Sequence, residues 1–474
     1  MNARPATPRY GWIFAAVLLA YLNALPAAFQ FDDYKVIVNN PAVHGFAAWA
    51  EGMPGIRPLL KLSYALNWEI ATGPFGFHAV NVLLHLANVA LVWRLTAWFP
   101  LTSPPLSKGG QGAPHTQVQV GVPLTSPPFL KGGQGGFEGV EYARLITTLL
   151  FALHPIQTEA VTYITGRSIS LMSLFGLGAL LCWLAAPTRA RPALWRAAAL
   201  ALFAAAVAVK EVAVALPLAL LLLDRRLRAS PALVAGLLLG LLALLWGLGY
   251  AYLLHETPYR SLLANLASET NALFWLAGQL LQPWALNIDP DLPEYASFMG
   301  LPGLQAALLA TALALAWRER VRRPWLGFGL LWTLLLLAPM YSLVPRLDLA
   351  SERHLYLAGL GLYWIIGAAM ASLPLDSPRQ AGLIVGLTLA GVLLTTQRNQ
   401  DYRDEVNLWR ATVQRSPNKD RAWNNLGYAC ALAGRADEAR DAFLHTLRLN
   451  PQHPRAAANL RALERGDFGN RPAR

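Results

Sequence analysis

Residues 194–223 read LWRAAALALFAAAVAVKEVAVALPLALLLL. Two apolar runs, 194–209 and 211–223, meet at one charged pair, Lys210-Glu211. Apolar runs of this kind, repeated along a chain, mark helices that live in hydrocarbon. Charge is costly inside a bilayer, so a charged pair between two such runs marks a turn at a membrane face. Outward from this stretch the pattern recurs at 11–29, 77–98, 142–154, 168–186, 231–254, 301–317, 325–345, 354–373 and 381–397. The expected fold is all-α: a polytopic membrane helix bundle of about 11 spans.

Composition agrees. Of 474 residues, 55% are hydrophobic and only 14% are charged, where a soluble domain carries about a quarter. The net charge of +12 is not a nucleic-acid signature. No basic cluster is interleaved with exposed aromatics, and many arginines stand at the ends of apolar runs, where topology accounts for them. The two cysteines, Cys182 and Cys430, fall in different environments, so no disulfide is expected. Arg4 and Arg9 followed by 11–29 resemble a signal peptide with a weak cleavage site at 24–28. The many later spans favour an uncleaved signal anchor.

With the N-terminus inside, one set of alternate loops receives seventeen Lys and Arg, and the other, before the C-terminal module, receives eight. That bias orients the chain. It holds only if the apolar stretch 266–285 does not cross, so that stretch is read as re-entrant or interfacial, and the C-terminus lies outside. Residues 100–139 differ in kind. LTSPPLSKGGQG at 101–112 recurs as LTSPPFLKGGQG at 124–135, a Pro- and Gly-rich repetitive insertion expected to be a disordered inside loop.

From Asp401 onward, Trp423, Leu426, Gly427, Ala439, Phe443 and Pro451 take the spacing of a 34-residue tetratricopeptide repeat (TPR). One repeat cannot cover its own apolar face, so partial neighbours must flank it. The module is either a structural cap or a docking surface for a protein partner. The expected domains are 1–400, the transmembrane part, and 401–474, the repeat module.

The unusual polar residues gather in the outside loops. Asp32 and Asp33 follow the first span. Arg57-Pro58 opens an interfacial helix, with Pro at its first position. His78, Asn81 and His85 share one face of the second span. His154 and Glu159 precede Gly166-Arg167; Lys210-Glu211 makes its turn; Asp289, Asp291 and Glu294 follow 266–285; Glu352, Arg353 and His354 precede the tenth span. Each has a plainer alternative: Lys210 with Glu211, or Glu352 with Arg353, as structural ion pairs, the histidines as packing residues, Asp32-Asp33 as a solvated loop. Together, adjacent carboxylates and several cations at one membrane face suit one task. A carboxylate takes a proton from an attacking hydroxyl, and cations hold a departing phosphate. A lipid-phosphate substrate would reach them from the bilayer. No Walker loop, HExxH or Cys-based metal spacing occurs. No cofactor is expected, though Asp32, Asp33 and His44 leave a divalent ion open at an unspecific spacing.

These residues carry a resemblance. FDD at 31–33 and VNNP at 38–41, IRPL at 56–59, GFHAVNVLLH at 76–85, FALHPIQTEAV at 151–161 through Gly166-Arg167, Lys210-Glu211 and SERHLYL at 351–357 resemble, in order, the transmembrane and tetratricopeptide-repeat O-mannosyltransferase (TMTC-like) family and its bacterial relatives. The resemblance covers nearly the whole chain except 100–139. It implies a GT-C glycosyltransferase fold with its site on the outer face, and transfer of a sugar, in this family mannose, from a polyprenyl-phosphate carrier, with inversion, to a protein or glycan acceptor. Similarity to protein O-mannosyltransferases in the first loop implies Asp32 as base with Asp33 beside it. The phosphate and sugar candidates are then Arg57, His78, His85, His154, Glu159, Arg167, Lys210, Glu211, Glu352 and Arg353. Ser168, Ile169 and Ser170 stand where relatives often carry an acid, and the repeat array is far shorter than in animal members. Low Lys, high Arg and Ala and the translated repeat have a bacterial look. The expected location is a bacterial inner membrane, N-terminus cytoplasmic and repeat module periplasmic. The rival expectation from another class is a non-catalytic membrane scaffold whose repeat recruits partners.

Overall fold

A computed structural model describes residues 11–52, 56–101, 139–230, 260–341 and 345–470 except 347, with only 232, 236, 239 and 240 between 231 and 259. The expected span 231–254 and nearly all of the insertion 100–139 lie outside these residues. No β-strand occurs among the described residues.

The main helices are α1 (Gly11–Tyr21), α2 (Pro58–Ile70), α3 (Pro74–Leu95), α4 (Gly139–Leu153), α5 (Arg167–Ala185), α6 (Pro192–Val209), α7 (Leu216–Leu223), α8 (Leu262–Gln279), α9 (Leu301–Arg318), α10 (Pro324–Leu337), α11 (Leu355–Ala371) and α12 (Ser377–Asp401). Four more follow: α13 (Glu405–Arg415), α14 (Asp420–Leu432), α15 (Ala436–Leu449) and α16 (Ala456–Glu464). Pro at the first helical position starts several of them, since its missing N–H costs nothing there. Among the described residues, six helical stretches are long and apolar enough to cross a membrane: Pro74–Trp98, Ile164–Thr188, Pro192–Val209, Leu301–Arg318, Glu352–Ala371 and Ser377–Asp401. Gly11–Ala24, Glu211–Leu223 and Pro324–Leu337 are shorter apolar helices. The chain is a multi-pass membrane protein.

Helix α4 is the centre of the bundle, packed on α11, α3, α1 and α12. Small residues set the crossings, as lipid-embedded helices require. A Cβ on Gly367 of α11 would come within 2.6 Å of both the Ala143 carbonyl and the Thr147 hydroxyl of α4. Gly329 of α10 and Gly361 of α11 face each other so closely that a Cβ on either would overlap the other's carbonyl. In contrast α6, α9 and α12 expose most of their apolar length, as lipid-facing helices do.

Helix α8 behaves differently. Ser261 caps its start, and Asn265, Ser268, Glu269 and Asn271 are buried on it. Just before it, Arg260 donates to the Arg346 carbonyl at 2.6 Å. Just after it, the Leu280 carbonyl meets His154 Nε2 at 3.1 Å. Arg346 and His154 both stand at the same end of the bundle, so α8 lies along that face.

The C-terminal helices form an array in which α14 pairs with α15, flanked by α13 and α16. A Cβ on Gly427 would meet the Phe443 ring at 2.7 Å, so the pair closes tightly at that glycine. Its core holds Val406, Trp409, Leu426, Ala439, Phe443 and Ala462.

Candidate active site

The loop after α1, the start of α2, residues 154–166, the Lys210-Glu211 turn, the loop after α8 and the segment 345–353 meet at one end of the bundle. Direct contacts knit them together: Asp33 to Thr165, Arg57 to Glu211, Glu159 to Ser351, and Asn287 to Glu352. Two non-glycine residues have positive φ among the described residues, Phe31 at 44° and Arg57 at 60°. Both sit here, one beside Asp32. Strain of this kind costs on the order of 1–3 kcal/mol and clusters at functional sites.

The two aspartates differ. Asp33 is 1% exposed, and its carboxyl oxygens accept from the N–H groups of Gln30 and Thr165, each at 3.0 Å. Burial, chiefly, pushes its pKa up to about 8, against those two hydrogen bonds. Asp32 is half-buried. Its backbone N–H donates to the Tyr163 hydroxyl at 3.1 Å. Its carboxylate makes no hydrogen bond among the described residues, and it lies within electrostatic reach of Arg353.

The cations also divide. Arg167 is fully buried and spends its fork on Asn81 Oδ1 at 2.7 Å, the Ser63 carbonyl at 3.2 Å, Asn67 Oδ1 at 2.9 Å and the Phe77 carbonyl at 2.9 Å. Its plane also covers Tyr64. It pins α2, α3 and α5 together. Arg57 forms a bidentate pair with Glu211, at 2.5 and 2.9 Å, so Glu211 pairs across the turn and not with Lys210. Lys210 is buried, with one long hydrogen bond to the Ser168 hydroxyl at 3.4 Å. Burial holds its ammonium well below the ordinary lysine range, and the nearby charges of Arg353, Arg57 and Arg346 push the same way. Arg353 faces Glu159 at 3.5 Å.

The remaining candidates are committed to the scaffold. Glu159 accepts from the Ser351 hydroxyl at 2.7 Å and the Arg353 N–H at 2.9 Å, which fixes the turn presenting Arg353. Glu352 points the other way, to Arg398 at 3.3 Å and to the Asn287 N–H. It does not pair with its neighbour. His85 lies between the Tyr356 hydroxyl at 2.8 Å and the Ala152 carbonyl at 3.0 Å. His154 caps 155–157 and meets Leu280, and His78 meets the Ala27 carbonyl at 3.1 Å. His44 stacks on Trp68 at 3.9 Å, and no group of three His, Cys, Asp or Glu suited to a metal ion occurs among the described residues.

The structure adds three residues to the set. Arg346 joins the cations around Lys210. Tyr163, from 154–166, touches Asp32. Glu269 on α8 is 2% exposed, and neither carboxyl oxygen has a hydrogen-bond partner among the described residues. An acid within an apolar helix was a visible signal for Glu269. One or two turns deeper, an apolar cleft is lined by Ile169, Met172, Val212, Leu216, Leu336, Met340 and Leu357, with His354 at its polar end.

No family model matches the chain, and no solved structure does. Among curated proteins it is similar to Protein O-mannosyl-transferase TMTC3 of Mus musculus, 24% identical over 94% of this chain and 52% of the relative. It is equally similar to Protein O-mannosyl-transferase Tmtc3 of Drosophila melanogaster, 24% over 94% of this chain and 56% of the relative. Protein O-mannosyl-transferase Tmtc2 of Drosophila melanogaster is 32% identical over a shorter stretch, 31% of this chain and 14% of the relative. The chain spans about half the length of the two TMTC3 relatives.

Proposed function

From a chain that is TMTC-like over nearly its whole length, we propose an integral membrane glycosyltransferase that moves a sugar, mannose in the first instance, from a polyprenyl-phosphate carrier to an acceptor hydroxyl at the outer, periplasmic face of a bacterial inner membrane. The observation that carries this reading is the buried Lys210 within electrostatic reach of Arg57, Arg346 and Arg353, with Arg353 in turn within reach of Asp32, whose carboxylate makes no hydrogen bond among the described residues. Cations crowded in a poorly solvated place repel one another. A phosphate dianion among them would remove the repulsion and gain charge-assisted hydrogen bonds.

Asp32, not Asp33, is the base. Asp33 has both oxygens engaged and holds its proton up to about pH 8, so its part is to fix the loop. The acceptor oxygen attacks the anomeric carbon as its proton passes to Asp32. The bond from that carbon to the phosphate oxygen breaks, and the cations take the charge that collects on the polyprenyl phosphate. One displacement inverts the anomeric centre. Residues 401–474 are read as the tetratricopeptide-repeat module, with a protein acceptor or partner its occupant.

The test is transfer of labelled mannose from polyprenyl-phosphate-mannose in proteoliposomes, with a water-soluble nucleotide sugar as control. Wild type should consume only the lipid-linked donor, and Asp32→Asn should reduce turnover by roughly 10²–10⁴-fold, the range for losing a general base. Full turnover in a folded Asp32→Asn variant removes the assignment. No consumption of any lipid-linked sugar by folded wild type, with a cell extract as acceptor source, favours the scaffold reading.

A further inference from the structure

The C-terminal array touches the two loops that carry the proposed chemistry, each from a different side. On the Asp32 side, the Ala28 N–H donates to the Arg403 carbonyl at 3.0 Å. The Gln30 amide donates to the Tyr402 carbonyl, and the Phe31 ring meets Trp409 edge-on at 5.2 Å. Phe31 is the residue with φ 44° directly before Asp32. A strained backbone persists only where its surroundings over-determine it, and Trp409 is part of those surroundings.

On the cation side, Arg421 of α14 reaches Asp348 at 2.7 Å and Asp289 at 2.6 Å. Asp348 lies between Arg346 and Arg353. Lys419 adds a contact to Asp289 at 3.7 Å. Ser416 accepts from the Asn287 amide at 2.7 Å and the Asp291 N–H at 3.0 Å, and donates to the Asp289 carbonyl at 3.0 Å. The loop so held at 287–291 bonds Glu352 in turn, through the Asn287 N–H. Residues 402–421 therefore bridge the base-bearing loop and the phosphate-holding segment.

We propose that the C-terminal array is a positioning element of the transfer reaction, setting Asp32 through Phe31–Trp409 and setting Arg346 and Arg353 through Arg421–Asp348. This rests on the glycosyltransferase reading and adds a division of labour to it. Trp409 and Arg421 are positioning residues: neither is placed against the reacting atoms.

The test uses the full chain in proteoliposomes, with polyprenyl-phosphate-mannose as donor. Arg421→Ala should raise the donor KM about tenfold with kcat little changed, and Arg421→Lys should restore most of it. Trp409→Leu should lower kcat about tenfold with the donor KM little changed. Hydrogen exchange supplies a readout independent of activity. Arg421→Ala should speed exchange at 348–353 and Trp409→Leu at 28–34, with α4 and α11 unchanged. Unchanged exchange at those loops overturns the proposal, as does a fall in kcat, a rise in KM and a loss of thermal stability that run in parallel in both variants. If the loops loosen as expected but neither wild type nor Asp32→Asn transfers sugar, the positioning contacts stand and the glycosyltransferase reading fails.

Discussion

Asp33 turns its carboxyl into a buried nook where two backbone N–H groups meet it, and it keeps its proton there to about pH 8. In the unfolded chain it would lose that proton near the ordinary 3.8. Between those values the unfolded state binds fewer protons than the folded one. The stability this group contributes is thus complete below about pH 4 and is lost as pH rises through 8. Melting temperatures in detergent for wild type and Asp33→Asn, taken across pH 4 to 9, measure it. The advantage of wild type should shrink steadily up to about pH 8 and then level off; a constant difference refutes the linkage. This aspartate pair also shows what one residue's sequence context reveals. The run FDD marked both acids, yet which one is buried depends on Gln30 and Thr165, the second 132 positions away. Arg167 and Arg353 were equally visible as span-end arginines. Only the fold shows that Arg167 spends its fork on Asn81, Asn67 and two carbonyls, while Arg353 faces the same space as Asp32.

Element by element, the apolar runs located the helices well, because period and length are local properties. Ten of the expected spans fall on helices. The turns between them were less legible. Residues 154–166 fold back as three short turns so tight that a Cβ on Gly166 would overlap the Glu159 carbonyl and come within 2.9 Å of Ala160 Cα. Those are backbone atoms and cannot swing aside. Gly166→Ala should therefore cost roughly 3 kcal/mol, the upper range for overpacking. It should also weaken donor binding, since Glu159 in the same turn fixes Arg353. Gly382→Ala, on a face of α12 with open space around it, is the control and should be neutral or slightly stabilising. Equal melting temperatures for the two variants would show that the turn can relax. Arg346 escaped the candidate set for a similar reason. A lone arginine after an apolar run reads as a span boundary, and its place beside Lys210 arises from how α10 and α11 pack.

For the molecule as a whole, the net charge of +12 is distributed unevenly in kind. At the site end several arginines are paired: Arg57 with Glu211, Arg398 with Glu352, Arg421 with Asp289. At the other end arginines stand exposed in the turns between spans, two of them over tryptophan rings, Arg189 on Trp195 at 4.6 Å and Arg320 on Trp317 at 4.4 Å. Tryptophan is enriched at both membrane interfaces and Lys/Arg on the cytoplasmic side, so the proposed orientation puts these turns at the cytoplasmic boundary. On the orientation proposed above, the array, docked on the site loops, lies across the membrane from those turns. Single cysteines at Arg320 and Arg440, both exposed, report this directly, since native Cys430 is buried and Cys182 sits within an apolar helix. A membrane-impermeant maleimide should label Arg440→Cys in right-side-out vesicles and Arg320→Cys only in inverted ones. Labelling of both from one side would break the bundle's polarity, because Arg440 and Arg320 would then share a face. Labelling with the sides exchanged would keep the polarity but invert the chain, placing the array, Asp32 and the cations on the cytoplasmic side. The donor would then have to be presented from the cytoplasmic leaflet, which the proteoliposome assay distinguishes by adding it to one face at a time.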